Sequence, residues 1–415
     1  AKWNGTRWSA LSVTDQYGYV SNGVDRDGTV YALAVSGSNL YVGGIFTGAG
    51  IVAANNVAKW DGTRWSSLGT GTANGVSAVV NSTAASYVYA LAVSGTNVYV
   101  GGIFGRAGAA AAANVARWNG TAWSSLGTGA ANGVNSTVYA LGVVGPTLYV
   151  GGDFKQAGGA SANYLARWDG TSWSTLGTGT TNGVSAGVRA MAVAGNNLYV
   201  GGNFATAGTT PVNYVAKWDG TTWSPLGTGT ATGTNGTVAA LAVAGSTVYA
   251  GGYFSKAGGA TVGCVAKWDG TSWSSLGTGL NGAVRALGTG TDTKVNVGGQ
   301  FIALGDGSKA AFYFSVYNDG PTVLSSPTPT VAAQVSVYPN PSQGSFSVTM
   351  PGLVGAATVR AELLTGLGQV VRRQVELLPA SGTTFTLSTN GLAPGSYILR
   401  LSAGATILTK QVAIQ

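Results

Sequence analysis

Histidine is absent from these 415 residues, cysteine occurs once, and glutamate only twice, as Glu362 and Glu376. Without histidine there is no Ser-His-Asp triad, no Cys-His pair and no imidazole ligand for zinc, copper or non-haem iron. The single thiol, Cys264, rules out an intrachain disulfide framework and reads as a packed, inert side chain. Charge is scarce, at 8% of residues. No apolar run approaches the ~20 residues of a membrane-spanning helix, so no transmembrane helix is expected. No basic-then-apolar leader opens the sequence, so the expectation is a mature protein or one whose signal was left off. The net charge of +8 is spread out: 16 basic and 11 acidic residues up to Gly320, then 5 and 2. With no Lys/Arg run, nucleic acid is not an expected partner.

What is abundant is glycine, 68 residues, and tryptophan, 12. All the tryptophans fall in six pairs around a turn: Trp3/Trp8, Trp60/Trp65, Trp118/Trp123, Trp168/Trp173, Trp218/Trp223 and Trp268/Trp273. Successive pairs start 57, 58, 50, 50 and 50 residues apart, and a degraded seventh copy stands at Tyr317-Asn-Asp-Gly320. Self-similarity at such a period means a repeat architecture. Each repeat holds four short strand candidates, for example Val138–Val143, Thr147–Phe154, Tyr164–Trp168 and Thr171–Leu176. Asp-Gly or Asn-Gly joins the last two, a strong hairpin signal because both residues tolerate positive φ. Four antiparallel strands per ~50 residues is the pattern of a propeller blade.

The recurring Leu148-Tyr-Val-Gly151-Gly152, followed by Trp173-Ser-Thr-Leu176, resembles the kelch-type propeller repeat. The double glycine recurs at Gly43-Gly44, Gly101-Gly102, Gly201-Gly202, Gly251-Gly252 and Gly298-Gly299. Gly-Gly suits close approach of neighbouring blades, with the Phe two positions on (Phe46, Phe104, Phe154, Phe204, Phe254, Phe301) filling the space between them. Six copies of the first two strands predict an all-β, six-bladed β-propeller over residues 1–320. Its N-terminal hairpin, residues 1–11, is expected to close the last blade. Seven blades would follow if an upstream blade had been removed, and a hairpin closing a neighbour's blade would build a polymer. Long inserts after Leu11 and Leu68 place extended loops over two adjacent blades, where propellers commonly bind.

Beyond Gly320 a Pro/Ser/Thr-rich linker, 321–334, leads into a non-repeating all-β unit, 335–415. Its Val337-Tyr338-Pro339-Asn340-Pro341, with Gly344 and Phe346, then Gly368-Gln-Val-Val371, Leu392-Ala-Pro-Gly395-Ser-Tyr397 and a final strand bearing Lys410, is similar to the C-terminal sorting domain of the type IX secretion system of Bacteroidota. That resemblance implies an immunoglobulin-like β-sandwich recognised by the type IX machinery (outer-membrane translocon, shuttle and sortase), and a secreted or outer cell-surface location.

No catalytic set emerges. Five propeller aspartates, Asp61, Asp169, Asp219, Asp269 and Asp319, are turn residues. Asp15, Asp25, Asp27, Asp153, Asp292 and Asp306 remain, and nothing in the repeat brings two together as a glycosidase needs. Asp25-Arg-Asp27-Gly28 is only a fragment of a Ca²⁺ loop and reads as a turn. Lys2, Lys59, Arg117, Arg167, Lys217 and Lys267 precede the first Trp of each pair and read as solvated outer-strand cations. No cofactor, metal site or enzymatic activity is expected. Variation between copies marks ligand-binding candidates: Tyr31, Tyr89, Tyr139, Arg189 and Arg285 early in the first strand, and Asp153, Asn203 and Tyr253 after Gly-Gly. Tyr beside Arg and Asn suits carbohydrate, although drift explains the same variation. The leading expectation is a structural or adhesive module at the cell surface. The alternatives are a lectin-like binder of surface glycans and a subunit that self-associates into a filament or layer.

Overall fold

The computed structural model describes all residues except 4–7, 15–16, 18–19, 26, 79–84, 291–293, 308–310, 312, 319–334, 354–355, 366–368 and 405. The linker, the Asp319-Gly320 turn, Asp15, Asp292 and Gly368 therefore lie outside the described residues. The chain divides into two compact units, Ala1–Gly320 and Pro321–Gln415. Among the described residues, no helix is long and apolar enough to cross a membrane.

Among its described residues the first unit contains five four-stranded antiparallel sheets and a three-stranded sixth, with shorter two- and three-stranded sheets beside them. Their first strands are Thr29–Ser36, Tyr87–Ser94, Val138–Val144, Val188–Ala194, Val238–Ala244 and Val284–Thr289. Their second strands are Asn39–Ile45, Asn97–Ile103, Thr147–Gly152, Asn197–Gly202, Thr247–Gly252 and Lys294–Gly299. Third strands run from Val57–Trp60 in sheet 1 to Phe314–Asn318 in sheet 6. A fourth, opening on the second Trp of each pair, completes sheets 1 to 5. All six first strands line one cavity of about 640 Å³, so the array is propeller-like.

The two glycines of each pair do different jobs. A Cβ on the first (Gly43, Gly101, Gly151, Gly201 or Gly251) would overlap the Val that opens the next sheet's first strand. Only hydrogen at this position lets the sheets pack at that distance. The Phe residues two positions after the pair are buried throughout. In four of the pairs the second Trp locks neighbouring units together, its indole N–H donating to the carbonyl of the Leu that closes the preceding unit. Trp123 donates to Leu68 at 2.6 Å, Trp173 to Leu126 at 2.8 Å and Trp273 to Leu226 at 2.8 Å. Trp65 makes the same bond to Leu11, at 3.1 Å.

The four-strand pattern missed a short hairpin between the second and third strands, such as Gln156–Ala157 with Ala160–Ser161. After it comes a residue with positive φ: Asn56, Asn114, Tyr164, Tyr214, Cys264 and Tyr313. Its carbonyl accepts the N–H of the second glycine. Cys264 thus stands at a repeat position defined by backbone geometry, and burial pushes its thiol pKa up. The N-terminal strands Lys2–Trp3 and Trp8–Ser9 pair with each other. The third strand of sheet 6 is Phe314–Asn318, paired with Lys294–Gly299 over five residue pairs, and the N-terminal pair forms a separate two-stranded sheet among the described residues.

The second unit is a seven-stranded all-β assembly. Phe346, Val348, Phe385 and Leu387 from one group of strands and Ala361, Leu363, Leu399 and Leu401 from the other share one core. Strand Ser336–Gln343 joins the groups: it pairs with Ser345–Met350 on one side, then forms a parallel bridge from Ser342 to Ile414.

Candidate functional site

Each first strand carries a β-bulge at the same place. Val88 pairs with Gly102 and Ala90 with Gly101, leaving Tyr89 as the extra residue. The same slip leaves out Tyr31, Tyr139, Arg189, Ala239 and Arg285 in the other sheets. A bulge re-aims the side chain it carries. It also explains the second glycine of each pair, where a Cβ would overlap a first-strand carbonyl such as that of Thr29, Tyr87 or Thr137. The repeat thus imposes a bulge at the position that varies.

These side chains converge. Tyr31, Tyr89, Tyr139, Arg189, Asn203, Tyr253 and Arg285 line one cavity of about 650 Å³, with Thr237 completing its polar wall. Tyr31 and Tyr139 flank Tyr89 with ring centroids 5.1 and 5.3 Å away, and Tyr87, which sequence reading passed over, stacks parallel on Tyr89 at 5.6 Å. Burial first, then the neighbouring phenols, raise the Tyr89 pKa. The Arg189 guanidinium sits 4.3 Å over the Tyr139 ring and pairs with Asp153. Across the mouth, Arg285 lies 5.0 Å over Tyr253 and donates to the Gln300 amide oxygen at 3.1 Å. Asp153 is therefore a support for Arg189. Gln300 plays that role for Arg285 without cancelling its charge. The arrangement offers aromatic faces for stacking and a guanidinium, an amide and a hydroxyl for polar groups.

The two long inserts meet in another cavity of about 600 Å³, lined by Asp25, Asp27, Ser77 and Ser86 among others. Asp25 Oδ2 accepts from the Thr47 and Gly48 N–H groups and the Thr47 hydroxyl, each at 2.7 Å. Asn135, Asn235 and Asn281 accept equivalent backbone N–H bonds in later units, which makes Asp25 a loop brace of the repeat. No group of three His, Cys, Asp or Glu side chains suited to a metal occurs among the described residues. Of the outer-strand cations, Arg117 and Arg167 donate to Ser124 and Ser174 on their own sheets.

In the second unit, Asn340 fastens the closing strand Thr406–Ile414, donating to the Gln411 carbonyl at 3.0 Å and accepting from the Ala413 N–H at 2.8 Å. Tyr338 is exposed, with Pro339 and Pro341 where the strand passes between its two partners. Gly344 has positive φ at the following turn. Tyr397 donates its hydroxyl to the Ala393 carbonyl at 2.8 Å, two residues before Gly395. Lys410 pairs in register with Leu399 on the closing strand. Glu362, buried, receives Arg373 at 2.9 Å and Arg400 at 2.6 Å.

No curated protein matches the chain. A solved structure of a mutant of Trypanosoma rangeli sialidase displaying trans-sialidase activity is similar over 97% of this chain and 86% of its own, at 12% identity and a TM-score of 0.33, too low to carry an argument. Residues 336–415 match the family described as the secretion system C-terminal sorting domain, and the protein is accordingly an exported one, secreted or held at the cell surface.

Proposed function

We propose that the chain is a non-enzymatic adhesive module delivered to the surface by the type IX secretion system. On this reading the six repeat sheets are the blades of a kelch-like β-propeller, and residues 336–415 form an immunoglobulin-like sandwich read by the export machinery. The ligand is a glycan taken at the tyrosine-lined mouth. The observation that carries this is the convergence of Tyr31, Tyr89, Tyr139, Arg189, Asn203, Tyr253 and Arg285, from all six repeat units, on one cavity. Sugar rings present C–H faces that stack on phenols and hydroxyls that bond to guanidinium and amide groups. Arg189 is paired with Asp153 whereas Arg285 meets a neutral amide, so a sugar bearing a carboxylate or sulfate suits the Arg285 side.

A glycan array probed with the purified protein tests this. Saturable binding to a sugar class that disappears in Tyr139→Ala and Arg285→Ala supports the reading. Uniformly absent binding, with folding intact, leaves a structural module without a lectin site.

A further inference from the structure

From sheet 1 to sheet 6 the bulge positions carry Tyr31, Tyr89, Tyr139, Arg189, Ala239 and Arg285. Five of these side chains are large and one is a methyl. Along sheets 1 to 4 the large ones lean on each other: Tyr31 and Tyr139 on Tyr89, and the Arg189 guanidinium on Tyr139. On sheet 5 that run breaks. Ala239 has no atom beyond Cβ, so the room that a phenol or guanidinium takes up on the sister sheets belongs there to the cavity, which Ala239 lines.

The walls of this opening are polar. Sheet 4 contributes Arg189 and Asn203, sheet 5 Thr237 and Tyr253, and sheet 6 Arg285, all lining the same cavity of about 650 Å³. Sheets 4, 5 and 6 are consecutive neighbours, because Gly201 packs on Val238 and Gly251 on Val284. Ala239 therefore lies between the two arginines. Arg189 is paired with the Asp153 carboxylate, whereas Arg285 meets the neutral Gln300 amide and the Tyr253 ring. These groups sum to one positive charge beside the opening. A guanidinium holds a carboxylate or sulfate through charge-assisted hydrogen bonds, roughly twice as strong as neutral ones.

We infer that the opening over Ala239 is a subsite for one anion-bearing sugar residue, and that the small side chain on sheet 5 is what admits it. The carboxylate or sulfate meets Arg285. The sugar ring lies along Tyr253, which is 44% exposed, with the Asn203 amide and the Thr237 hydroxyl for its hydroxyls. Neutral residues of the same glycan stack on Tyr31, Tyr89 and Tyr139. This subsite rests on the glycan reading of the mouth and adds to it the place of the anion and the residue that selects it.

The test titrates the intact chain into three fluorescently labelled trisaccharides: trigalacturonate, galactotriose sulfated on one sugar, and neutral galactotriose. One or both acidic sugars should bind about tenfold more tightly than the neutral one, and the tighter of the two names the anion. Ala239→Tyr carries at sheet 5 the side chain that sheets 1 to 3 carry at the same bulge, and circular dichroism verifies its fold. It should weaken acidic binding about tenfold or more and leave neutral binding within about threefold. Arg285→Gln, at an exposed position, should level acidic and neutral affinities and tests the subsite independently of the first variant. Acidic binding untouched by Ala239→Tyr, or an acidic preference that survives Arg285→Gln, overturns the subsite and leaves the glycan reading standing. So does neutral galactotriose bound as tightly as the acidic sugars. Absence of binding to all three by the folded chain also overturns it, and the glycan array then decides separately whether the mouth takes sugars at all.

Discussion

Arg189 and Asp153 lie 3.1 Å apart, guanidinium to carboxylate, one on the bulge of sheet 4 and the other just after the double glycine of sheet 3. Neither is buried, at 28 and 35% side-chain exposure, so the pair orients more than it stabilises. Asp153→Asn is therefore expected to leave the thermal midpoint within about 0.5 kcal/mol of the parent while changing ligand affinity, because Arg189 is freed from its brace. Parallel thermal and glycan-binding titrations check this. Equal effects on both would make the pair merely structural.

The tryptophan lock supplies its own control. Trp173 donates its indole N–H to Leu126 at 2.8 Å, whereas the Trp223 N–H is buried without a partner. Trp173→Phe should cost about 1 kcal/mol more than Trp223→Phe, the net worth of one hydrogen bond. Urea midpoints of the two variants, side by side, measure the difference.

Glycine at the sheet interface is the next comparison. Gly251→Ala drives a methyl into Val284 and should destabilise by about 1–3 kcal/mol, the usual cost of overpacking. Gly298→Ala meets open space and should stay within about 0.5 kcal/mol of the parent. Equal losses would mean that Gly298 is covered after all.

The turn carboxylates of Asp61, Asp169, Asp219 and Asp269 sit well below the usual carboxylate range. Chiefly this is because each accepts the backbone N–H of the residue three positions on, then the N–H and hydroxyl of the Thr two positions on. A carboxylate whose pKa is depressed by folding stabilises above its unfolded value of ~3.9, and that contribution is lost as pH falls through the folded value. Denaturation midpoints should accordingly drop below about pH 4. Asn119 accepts the same backbone bonds in sheet 2 without a charge. Changing all four aspartates to Asn should flatten the acid limb. An unchanged limb would assign it to other groups.

In the sorting unit, Asn340→Ala removes both bonds to the closing strand. It should lower that unit's stability by about 1 kcal/mol and reduce export from a host carrying the type IX machinery. Deleting residues 336–415 should abolish export. Secretion of the truncated chain into the medium would contradict the assignment.

The sequence by itself determined the all-β class, the number of repeat sheets and the sorting unit, because each rests on local chemistry. Asp-Gly and Asn-Gly turns, strand alternation and a Trp pair every 50 to 58 residues are readable one residue at a time. It also singled out Tyr139, Arg189 and Tyr253, since repeats differ visibly where the scaffold places no demand. Three things waited for the tertiary structure. The bulge that aims those side chains is a pairing slip between two strands, so only the register of Val88, Tyr89 and Ala90 against Gly101 and Gly102 reveals it. Gln300 stands at the repeat position of Asp153, Asn203 and Tyr253 and Tyr87 two residues before Tyr89, but only the structure shows that Gln300 holds Arg285 and that Tyr87 stacks on Tyr89. The bare Gly298 and the exposed Leu33 look like their sister positions in sequence. They differ only in whether another sheet stands opposite, and that is a property of the closed or open array, decided after every strand has found its neighbour.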